Sequence, residues 1–261
     1  MEPFLAVLNY HGFGEYDWLE EQKPYVLDQN VFARQLDLIR EYHLQTLSLS
    51  GAGEWLYGRS GGRPAVVLTF DDGLLGHFEL TAPLLKEKNM RGLFFIPAGL
   101  VGKKGMMSWS QLKELVKMGF DVGAHGWRHV PLTDLAPAEL EQEFVRSKDV
   151  LEERLGYAVD SFSIPRGFYR ESFRALAQKA GYRFMFTSRF DFNYALENPF
   201  YLKRLAIKRN TPEKDFEGLA LGNLGNAKRI ETIKERLRGS LSPAFYDRLA
   251  AAKRLWNANH G

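Results

Sequence analysis

The sequence predicts an α/β fold in which a parallel sheet closes into a barrel. Short apolar runs of strand length alternate with segments whose apolar residues recur at helical spacing along the 261 residues. Such alternation is typical of a parallel sheet, and seven or eight strands are joined most economically as a barrel. No repeat or change of composition marks a second domain. We therefore predict one barrel in residues 1–222 and a helical extension in residues 223–261 that packs on it.

Eight short apolar runs bounded by polar or turn residues are the predicted strands. In a barrel of parallel strands the carboxyl ends lie on one face, and the chemistry of such barrels is found there. The strands are Phe4–Asn9, Thr46–Leu49, Ala65–Phe70, Gly92–Ile96, Phe120–Ala124, Ser161–Ile164, Tyr182–Thr187 and Leu202–Ile207.

Four helices are predicted between these strands from apolar residues spaced three or four apart. The second begins with a capping box of Ser108 and Gln111 and ends at Gly119. The third ends at Gly156 and the fourth at Gly181, because glycine commonly follows the last helical turn. The apolar faces are, in chain order, Phe32, Leu36 and Ile39; Leu112, Leu115 and Val116; Leu140, Phe144, Leu151 and Leu155; and Phe173, Leu176, Ala177 and Ala180.

The composition excludes several classes of function. The chain has no cysteine, which rules out thiol nucleophiles, thiolate metal sites and a disulfide-stapled module. The formal net charge of +3 is too small to indicate nucleic-acid binding. The first residues lack the basic and apolar regions of a signal peptide, and no apolar run is long enough to span a bilayer. We therefore expect a cytoplasmic protein, or one whose targeting segment has been removed.

Two adjacent carboxylates, Asp71 and Asp72, follow the predicted strand Ala65–Phe70. Successive side chains of a strand point to opposite sides, and Gly73 permits a turn that brings both carboxylates to one site. One carboxylate can then bind a metal ion while the other acts as a base. The alternative is an Asp-Asp-Gly turn with no role beyond structure.

Two histidines, His125 and His129, follow the predicted strand Phe120–Ala124. If this segment turns helically, both imidazoles lie on one face and can bind the same metal ion. No glutamate follows the first histidine, so the His-Glu-x-x-His protease pattern is absent. Together with the two aspartates, the pair predicts metal-assisted hydrolysis. The alternative is one helix-capping histidine and one surface histidine.

In these motifs the chain resembles the polysaccharide deacetylases of carbohydrate esterase family 4, which share the NodB homology domain. Thr-Phe-Asp-Asp-Gly, the first family motif, is intact at residues 69–73, and the resemblance covers about residues 4–220. The second motif, His-(Ser/Thr)-x-x-His, has Gly126 in place of the hydroxyl residue. The resemblance implies a distorted (β/α)7 barrel with a divalent metal on Asp72, His125 and His129. It also implies that Asp71 is the catalytic base.

The third family motif, Arg-x-Pro-x-Gly, is altered in this chain. Residues 163–167 read Ser-Ile-Pro-Arg-Gly, so the arginine that orients the base is missing from its usual place. Arg166 and Arg204 are both candidates to pair with Asp71 instead, and each is equally interpretable as a structural or surface arginine. By resemblance, the backbone N–H of Arg166 is the expected donor to the oxyanion.

The late Leu-x-His motif of the family, which supplies the general acid, is also absent. The chain instead has Tyr10 and His11 at the end of its first predicted strand, similar to the displaced Tyr-His of biofilm poly-N-acetylglucosamine deacetylases. The first and last strands of a barrel are neighbours, so the displaced side chain stays in the same region. We therefore assign His11 as the general acid. The alternative is a core histidine bonded to the backbone.

These residues and the resemblance predict a metal-dependent N-deacetylase that acts on an N-acetylated sugar of a polysaccharide or glycan precursor. Zn²⁺ is the expected metal, with Co²⁺ or Ni²⁺ as alternatives, on three protein ligands that leave one position open. Asp71 accepts a proton from water and His11 protonates the leaving amine, which yields acetate and an amino sugar. The alternatives are a deformylase or cyclic-amide hydrolase of the same superfamily, and a weakly catalytic carbohydrate-binding barrel.

The C-terminal segment is basic and carries two apolar helical faces. Residues 228–261 contain eight Lys or Arg and three acidic residues. Packing of these faces on the barrel is the simpler interpretation. The other is peripheral contact with an anionic membrane, which would suit an enzyme acting on a lipid-linked sugar. The two faces are Ile230, Ile233 and Leu237, and Phe245, Leu249, Ala252 and Trp256.

Overall fold

The computed structural model describes residues 2–14, 23–59 and 62–240. Within these ranges the chain forms ten strands and eight α-helices. The strands are β1 (Leu5–Tyr10), β2 (Gly12–Phe13), β3 (Val26–Leu27), β4 (Gln45–Thr46), β5 (Ala65–Phe70), β6 (Leu93–Ile96), β7 (Asp121–Ala124), β8 (Ser161–Ser163), β9 (Phe184–Phe186) and β10 (Leu205–Ala206). The helices are α1 (Gln29–Glu41), α2 (Leu49–Leu56), α3 (Ala82–Glu87), α4 (Trp109–Lys117), α5 (Pro137–Leu155), α6 (Ser172–Lys179), α7 (Glu213–Ala220) and α8 (Gly225–Ser240).

The main sheet is parallel, as the alternation of strands and helices predicted. Its strands run in the order β10-β1-β5-β6-β7-β8-β9, and β4 pairs with the start of β5. The longest ladder joins β1 to β5, from Leu5 opposite Ala65 to Tyr10 opposite Phe70. Because all these strands run the same way, the residues that follow β1, β5, β7 and β8 lie at one end of the sheet.

The sheet curls and closes between β9 and β10. Leu202 bridges to Phe186 of β9 in the parallel direction. Its N–H donates to the carbonyl of Met185 at 3.0 Å, and its carbonyl accepts from the N–H of Thr187 at 2.8 Å. β10 follows at once and pairs with β1. One short segment therefore joins the last strand of the sheet to the first, and the distorted barrel predicted from the sequence is confirmed.

The barrel has an inner and an outer apolar core, because alternate residues of a strand face opposite sides of the sheet. Val7, Val67 and Phe95 pack together in the inner core. The intervening residues, such as Leu8 and Leu68, pack in the outer core against the surrounding helices. The inner core is apolar toward the strand beginnings, and the polar residues of the candidate site occupy the opposite end.

Helix α2 covers the end of the barrel at which the strands begin. Trp55 belongs to the inner core, and its indole N–H donates to the carbonyl of Arg63, just before β5, at 2.8 Å. The N–H of Leu49 donates to the carboxylate of Asp121, at the start of β7, at 2.7 Å. α2 therefore closes the barrel on the side away from the candidate site.

The predicted strand Thr46–Leu49 is wrong beyond its first residue, since the strand there is Gln45–Thr46 and Leu49 begins α2. The hydroxyl of Ser48 caps the helix by accepting the N–H of Gly51 at 3.2 Å. The helix escaped prediction because its two glycines have low helix propensity and its polar face consists only of Ser50 and Glu54. The four predicted helices are confirmed as α1, α4, α5 and α6, with Gly156 left-handed at the end of α5.

The C-terminal extension begins with α8, which ion pairs join to the rest of the chain. The ammonium of Lys208 lies 2.6 Å from Glu231, and that of Lys228 lies 3.1 Å from Asp191. Ile230 and Ile233 are exposed. The second predicted apolar face, in residues 245–256, lies outside the described residues, so the boundary at residue 223 stays a prediction. No helix in the described part of the chain is long and apolar enough to cross a membrane.

Candidate active site

The turn after β5 brings both aspartates to one place. Asp72 has a φ of 79° and Gly73 a φ of 65°, so the chain turns at Asp72 itself as well as at the glycine that the sequence indicated. A positive φ is uncommon for a residue other than glycine and tends to mark a functional site. The Nε2 atom of His125 consequently lies 3.9 Å from Asp71 Oδ2 and 3.4 Å from Asp72 Oδ1.

Asp72, His125 and His129 form a cluster in which the three ligand atoms lie within 4.8 Å of one another. The Nε2 atom of His129 is 3.0 Å from Asp72 Oδ1. The Nδ1 atom of His125 donates to the carbonyl of Ser163 at 2.8 Å, which leaves Nε2 directed at the aspartates. Two imidazoles and a carboxylate are donors that Zn²⁺ favours, and three protein ligands leave room for a further ligand. The residues present therefore fit a divalent metal ion.

The segment from His125 to His129 does not form the helical turn that its spacing predicted. It is a loop in which Gly126 has a φ of 72° and His129 a φ of 58°. These two left-handed residues fold the loop back on itself, and the imidazole centroids lie 4.9 Å apart. The histidines therefore meet through the irregular backbone of the loop.

Arg204 is the arginine that the structure pairs with Asp71. Its Nη1 atom donates to Asp71 Oδ1 at 2.8 Å and its Nε atom to the carbonyl of Thr187 at 2.9 Å. The guanidinium is buried inside the barrel beside the ring of Phe95. Ser163, at the position of the family's arginine, places its hydroxyl 3.4 Å from each carboxylate oxygen of Asp71.

Arg166 lies in the turn Pro165–Gly167 that follows β8. It has a φ of 60°, and Gly167 has a φ of 70°. A Cβ atom at Gly167 would lie 2.0 Å from the hydroxyl of Ser188, so only glycine fits there. The charge of Arg166 opposes the rise in the pKa of His129 that Asp72 causes. The structure thus places Arg166 near His129, and the arginine that it bonds to Asp71 is Arg204.

His11 follows β1 and is partly exposed. Its Nδ1 atom has no hydrogen-bond partner among the described residues. Its carbonyl accepts a hydrogen bond from Nε2 of His77, a fully buried residue that begins the π-helix His77–Thr81. Sequence reasoning did not single out His77, although π-helical turns are frequent at functional sites. His77 fixes the backbone of the residue assigned as general acid.

The charges of the site act strongly on one another. Burial alone would raise the pKa of Asp71, but Arg204 and then His125 hold this pKa at about 2. Burial likewise opposes ionisation of Asp72, yet His129 and His125 keep its pKa well below the usual range. Burial, together with the charges of Arg204 and His125, lowers the pKa of His11 although the neighbouring aspartates act to raise it. Both aspartates are therefore carboxylates at neutral pH, as a metal ligand and a general base must be.

Comparison with known proteins finds one matching family model. The family model described as polysaccharide deacetylase matches residues 58–185, which include the turn after β5 and the loop with the two histidines. Over just under half of its length, the chain is therefore similar to the polysaccharide deacetylases. The altered third motif and Arg204 distinguish it from the usual motifs of that family.

The relatives share only part of their length with this chain. YxkH of Bacillus subtilis is 26% identical over 180 residues, which are 69% of this chain and 62% of YxkH. Chitin deacetylase 1 of Cryptococcus neoformans is 29% identical over 114 residues, which are 44% of this chain and 23% of that protein. The matched regions therefore cover less than two thirds of either relative.

Solved structures of polysaccharide deacetylases have the same fold. IcaB from Ammonifex degensii is 28% identical, with a TM-score of 0.74 over 85% of this chain and 98% of IcaB. The deacetylase PplD of Streptococcus pyogenes, solved in complex with acetate, has a TM-score of 0.76 over 85% of this chain and 99% of PplD, at 22% identity. The barrel of this chain is thus the fold of these two proteins.

Proposed function

We propose that this protein is a metal-dependent N-deacetylase that removes the acetyl group from an N-acetylated sugar of a polysaccharide or glycan precursor. The observation that carries the proposal is the cluster of Asp72, His125 and His129 beside the buried Asp71 carboxylate. The match to the polysaccharide deacetylase family model and the name of one relative, chitin deacetylase, support an N-acetylated sugar as the substrate.

The two oxygens of the Asp71 carboxylate have different surroundings. Arg204 occupies Oδ1, whereas Oδ2 faces His125 Nε2 at 3.9 Å. Oδ2 is therefore the atom that can accept a proton from an attacking water, while Arg204 holds the carboxylate in place. When bound, Zn²⁺, Co²⁺ or Ni²⁺ polarises a carbonyl oxygen and makes water more acidic. Asp72, His125 and His129 would hold that ion.

His11 directly follows the first strand and would protonate the leaving nitrogen. An amide nitrogen leaves readily only after it has gained a proton, so the reaction needs an acid as well as a base. The buried surroundings that lower the pKa of His11 make its imidazolium a stronger acid toward that nitrogen. The backbone N–H of Arg166 is the proposed donor to the oxyanion. Acetate and a free amino sugar are the products.

The test measures acetate release from N-acetylglucosamine oligomers and lipid-linked analogues. Protein from which a chelator has removed the metal is assayed before and after addition of Zn²⁺, Co²⁺ or Ni²⁺. Asp71→Asn should lower kcat by about 10²–10⁴-fold, because the base is lost. Asp160→Asn, which changes an exposed ion pair with Arg183, is the matched control and should leave kcat unchanged.

Restored release that Asp71→Asn abolishes supports the deacetylase and its base together. If the protein binds metal but releases no acetate, the N-acetyl substrate is contradicted. Formylated and cyclic-amide substrates are then assayed with the same variants, because those hydrolases would use the same metal and base.

Contact of residues 228–261 with an anionic membrane stays a prediction. The exposed Ile230 and Ile233 and the excess of basic residues support it. Vesicle flotation with anionic and neutral lipids measures it. Binding that is absent from anionic vesicles would contradict it.

A further inference from the structure

Glu143 is a buried carboxylate whose partners among the described residues lie in one loop. The residue sits on α5 and is 1% exposed. Its Oε2 atom accepts the backbone N–H of Trp127 at 2.5 Å and that of Arg128 at 3.1 Å. Its Oε1 atom accepts from Nε of Arg128 at 2.7 Å. A carboxylate is costly to bury unless it is bonded in this way, so the contacts fix both partners firmly.

The loop that Glu143 holds is the one that presents the two histidines. Trp127 and Arg128 lie between His125 and His129 in the chain. This loop contains left-handed residues at Gly126 and His129, and such a φ costs about 1 kcal/mol or more for a residue other than glycine. The bonds from Glu143 compensate for that cost and keep the loop in the conformation in which both imidazoles meet Asp72.

Glu143 leaves no room for a side chain at Gly126. A Cβ atom at Gly126 would lie 2.9 Å from Oε2 of Glu143. The carboxylate therefore occupies the space in which a side chain at residue 126 would stand. The loop has no side-chain hydroxyl at this position, and the polar group that holds it is the Glu143 carboxylate of α5.

We propose that Glu143 is a positioning residue for the metal centre. It holds the loop in advance of binding, so that His125 and His129 need no ordering when the ion arrives. Without this anchor, part of the binding energy would be spent on ordering the loop. The proposal rests on the proposed function, because that function supplies the divalent ion.

α5 offers a matched control in Glu139, which lies one turn earlier on the same helix. Glu139 also pairs with Arg128, through Nη1 at 3.2 Å, but is half exposed. Among the described contacts it reaches no amide of the loop. A general contribution of the acidic residues on α5 to stability would involve both glutamates, whereas a role in holding the loop belongs to Glu143.

The full chain is first freed of metal, and its affinity for Zn²⁺ is then measured by competition with a chromogenic chelator. Glu143→Gln can still accept the loop amides on its oxygen, but its NH₂ group then faces the donating Nε of Arg128. We expect Zn²⁺ to bind about 10–100-fold more weakly. Glu139→Gln should bind Zn²⁺ as the wild type does. Glu143→Asp, which keeps the charge but withdraws it by one methylene, should show an intermediate loss.

Thermal unfolding of the metal-free variants separates a positioning role from a purely structural one. The positioning role predicts weaker Zn²⁺ binding by Glu143→Gln at temperatures where it is fully folded. If Glu143→Gln does not fold, Glu143→Asp takes its place in the comparison. Wild-type affinity in the folded variants, or an equal loss in Glu139→Gln, would overturn the role given to Glu143 alone. Wild-type protein that binds none of Zn²⁺, Co²⁺ and Ni²⁺ would overturn the proposed metal centre as well.

Discussion

At the residue scale, Asp71 and Arg204 form an ion pair that is almost completely shielded from water. Their side chains are 3% and 1% exposed, and the contact is 2.8 Å. A pair of this kind is weak evidence for stability as a whole, but the loss of one partner leaves the other charge buried and uncompensated. The two residues therefore have to be considered together.

Arg204→Met should lower the free energy of unfolding by about 3–5 kcal/mol, because the Asp71 carboxylate stays buried without its cation. Urea denaturation measures the change. Arg183→Met, which removes an exposed pair with Asp160, is the control and should cost less than about 1 kcal/mol. Adding Asp71→Asn to Arg204→Met should restore part of the loss. A double variant less stable than Arg204→Met alone would contradict this account.

His77 predicts a pH dependence of stability. Burial lowers its pKa to about 4, although the bond to the His11 carbonyl acts in the opposite direction. Above pH about 6.5, the pKa of an unfolded histidine, both states are neutral and the stability is complete. As the pH falls from about 6.5 to 4, only the unfolded state gains the proton, and the loss reaches about 3 kcal/mol.

The measurement is urea denaturation between pH 7 and 4. His77→Gln keeps an N–H donor but does not titrate, so its stability should fall less steeply over this range. His43→Asn, at an exposed left-handed position that asparagine tolerates, should follow the wild type. Parallel curves for wild type and His77→Gln would show that His77 does not titrate as described.

At the scale of secondary structure, α2 shows how one helix closes the inner core. Gly53 faces Phe184 at the start of β9, and an added Cβ atom would lie 2.9 Å from the ring. A Cβ atom added at Gly51, two residues earlier, would lie 3.4 Å or more from its nearest neighbours, which is an ordinary van der Waals distance. A side chain therefore has room at Gly51 but not at Gly53.

Gly53→Ala should destabilise the protein by about 1–3 kcal/mol, because the methyl group overfills the contact with Phe184. Gly51→Ala should be neutral or stabilising by up to about 1 kcal/mol, since alanine is the better helix former. The shift in the unfolding midpoint of each variant measures the difference. Equal effects from both changes would contradict the close packing of Gly53.

Much of the fold was predictable from the sequence, and the exceptions have physical causes. Buried parallel strands are continuous apolar runs, so β1, β5 and β6 were found within a residue or two. α2 was not predicted, because it is short, contains two glycines and has a polar face of only Ser50 and Glu54. The residues of the candidate metal site could be recognised in the sequence from their residue types and their spacing. The left-handed turns at Asp72 and His129, and the role of Glu143, depend on contacts between distant parts of the chain that no local pattern records.

At the scale of the whole molecule, the residues of the candidate site come from strands spread across the sheet. His11 follows β1, Asp71 and Asp72 follow β5, His125 follows β7, and Arg204 precedes β10. The metal cluster therefore exists only in the folded chain, and an ion that binds it stabilises the fold.

Addition of Zn²⁺ to chelated protein should raise the unfolding temperature, with a gain of about 2.7 kcal/mol when free Zn²⁺ is 100 times its Kd. Differential scanning calorimetry measures the shift. His125→Ala should remove most of it because a ligand is lost, whereas Asp71→Asn should retain it because Asp71 is not among the three ligands. A shift that survives in His125→Ala would place the ion elsewhere.

The closing seam of the barrel is a weak point beside the pair of Asp71 with Arg204. β1 and β5 pair over their whole length, whereas Leu202 meets β9 through one bridge with two backbone hydrogen bonds, and Arg204 lies two residues beyond it. Fluctuations that part this seam cost less than global unfolding and would pull Arg204 away from Asp71 while the other strands stay paired. The amides of Thr187 and Leu202 should then exchange with deuterium sooner than those of β1. Their protection would report the fraction of molecules in which Arg204 stays paired with Asp71, the proposed base.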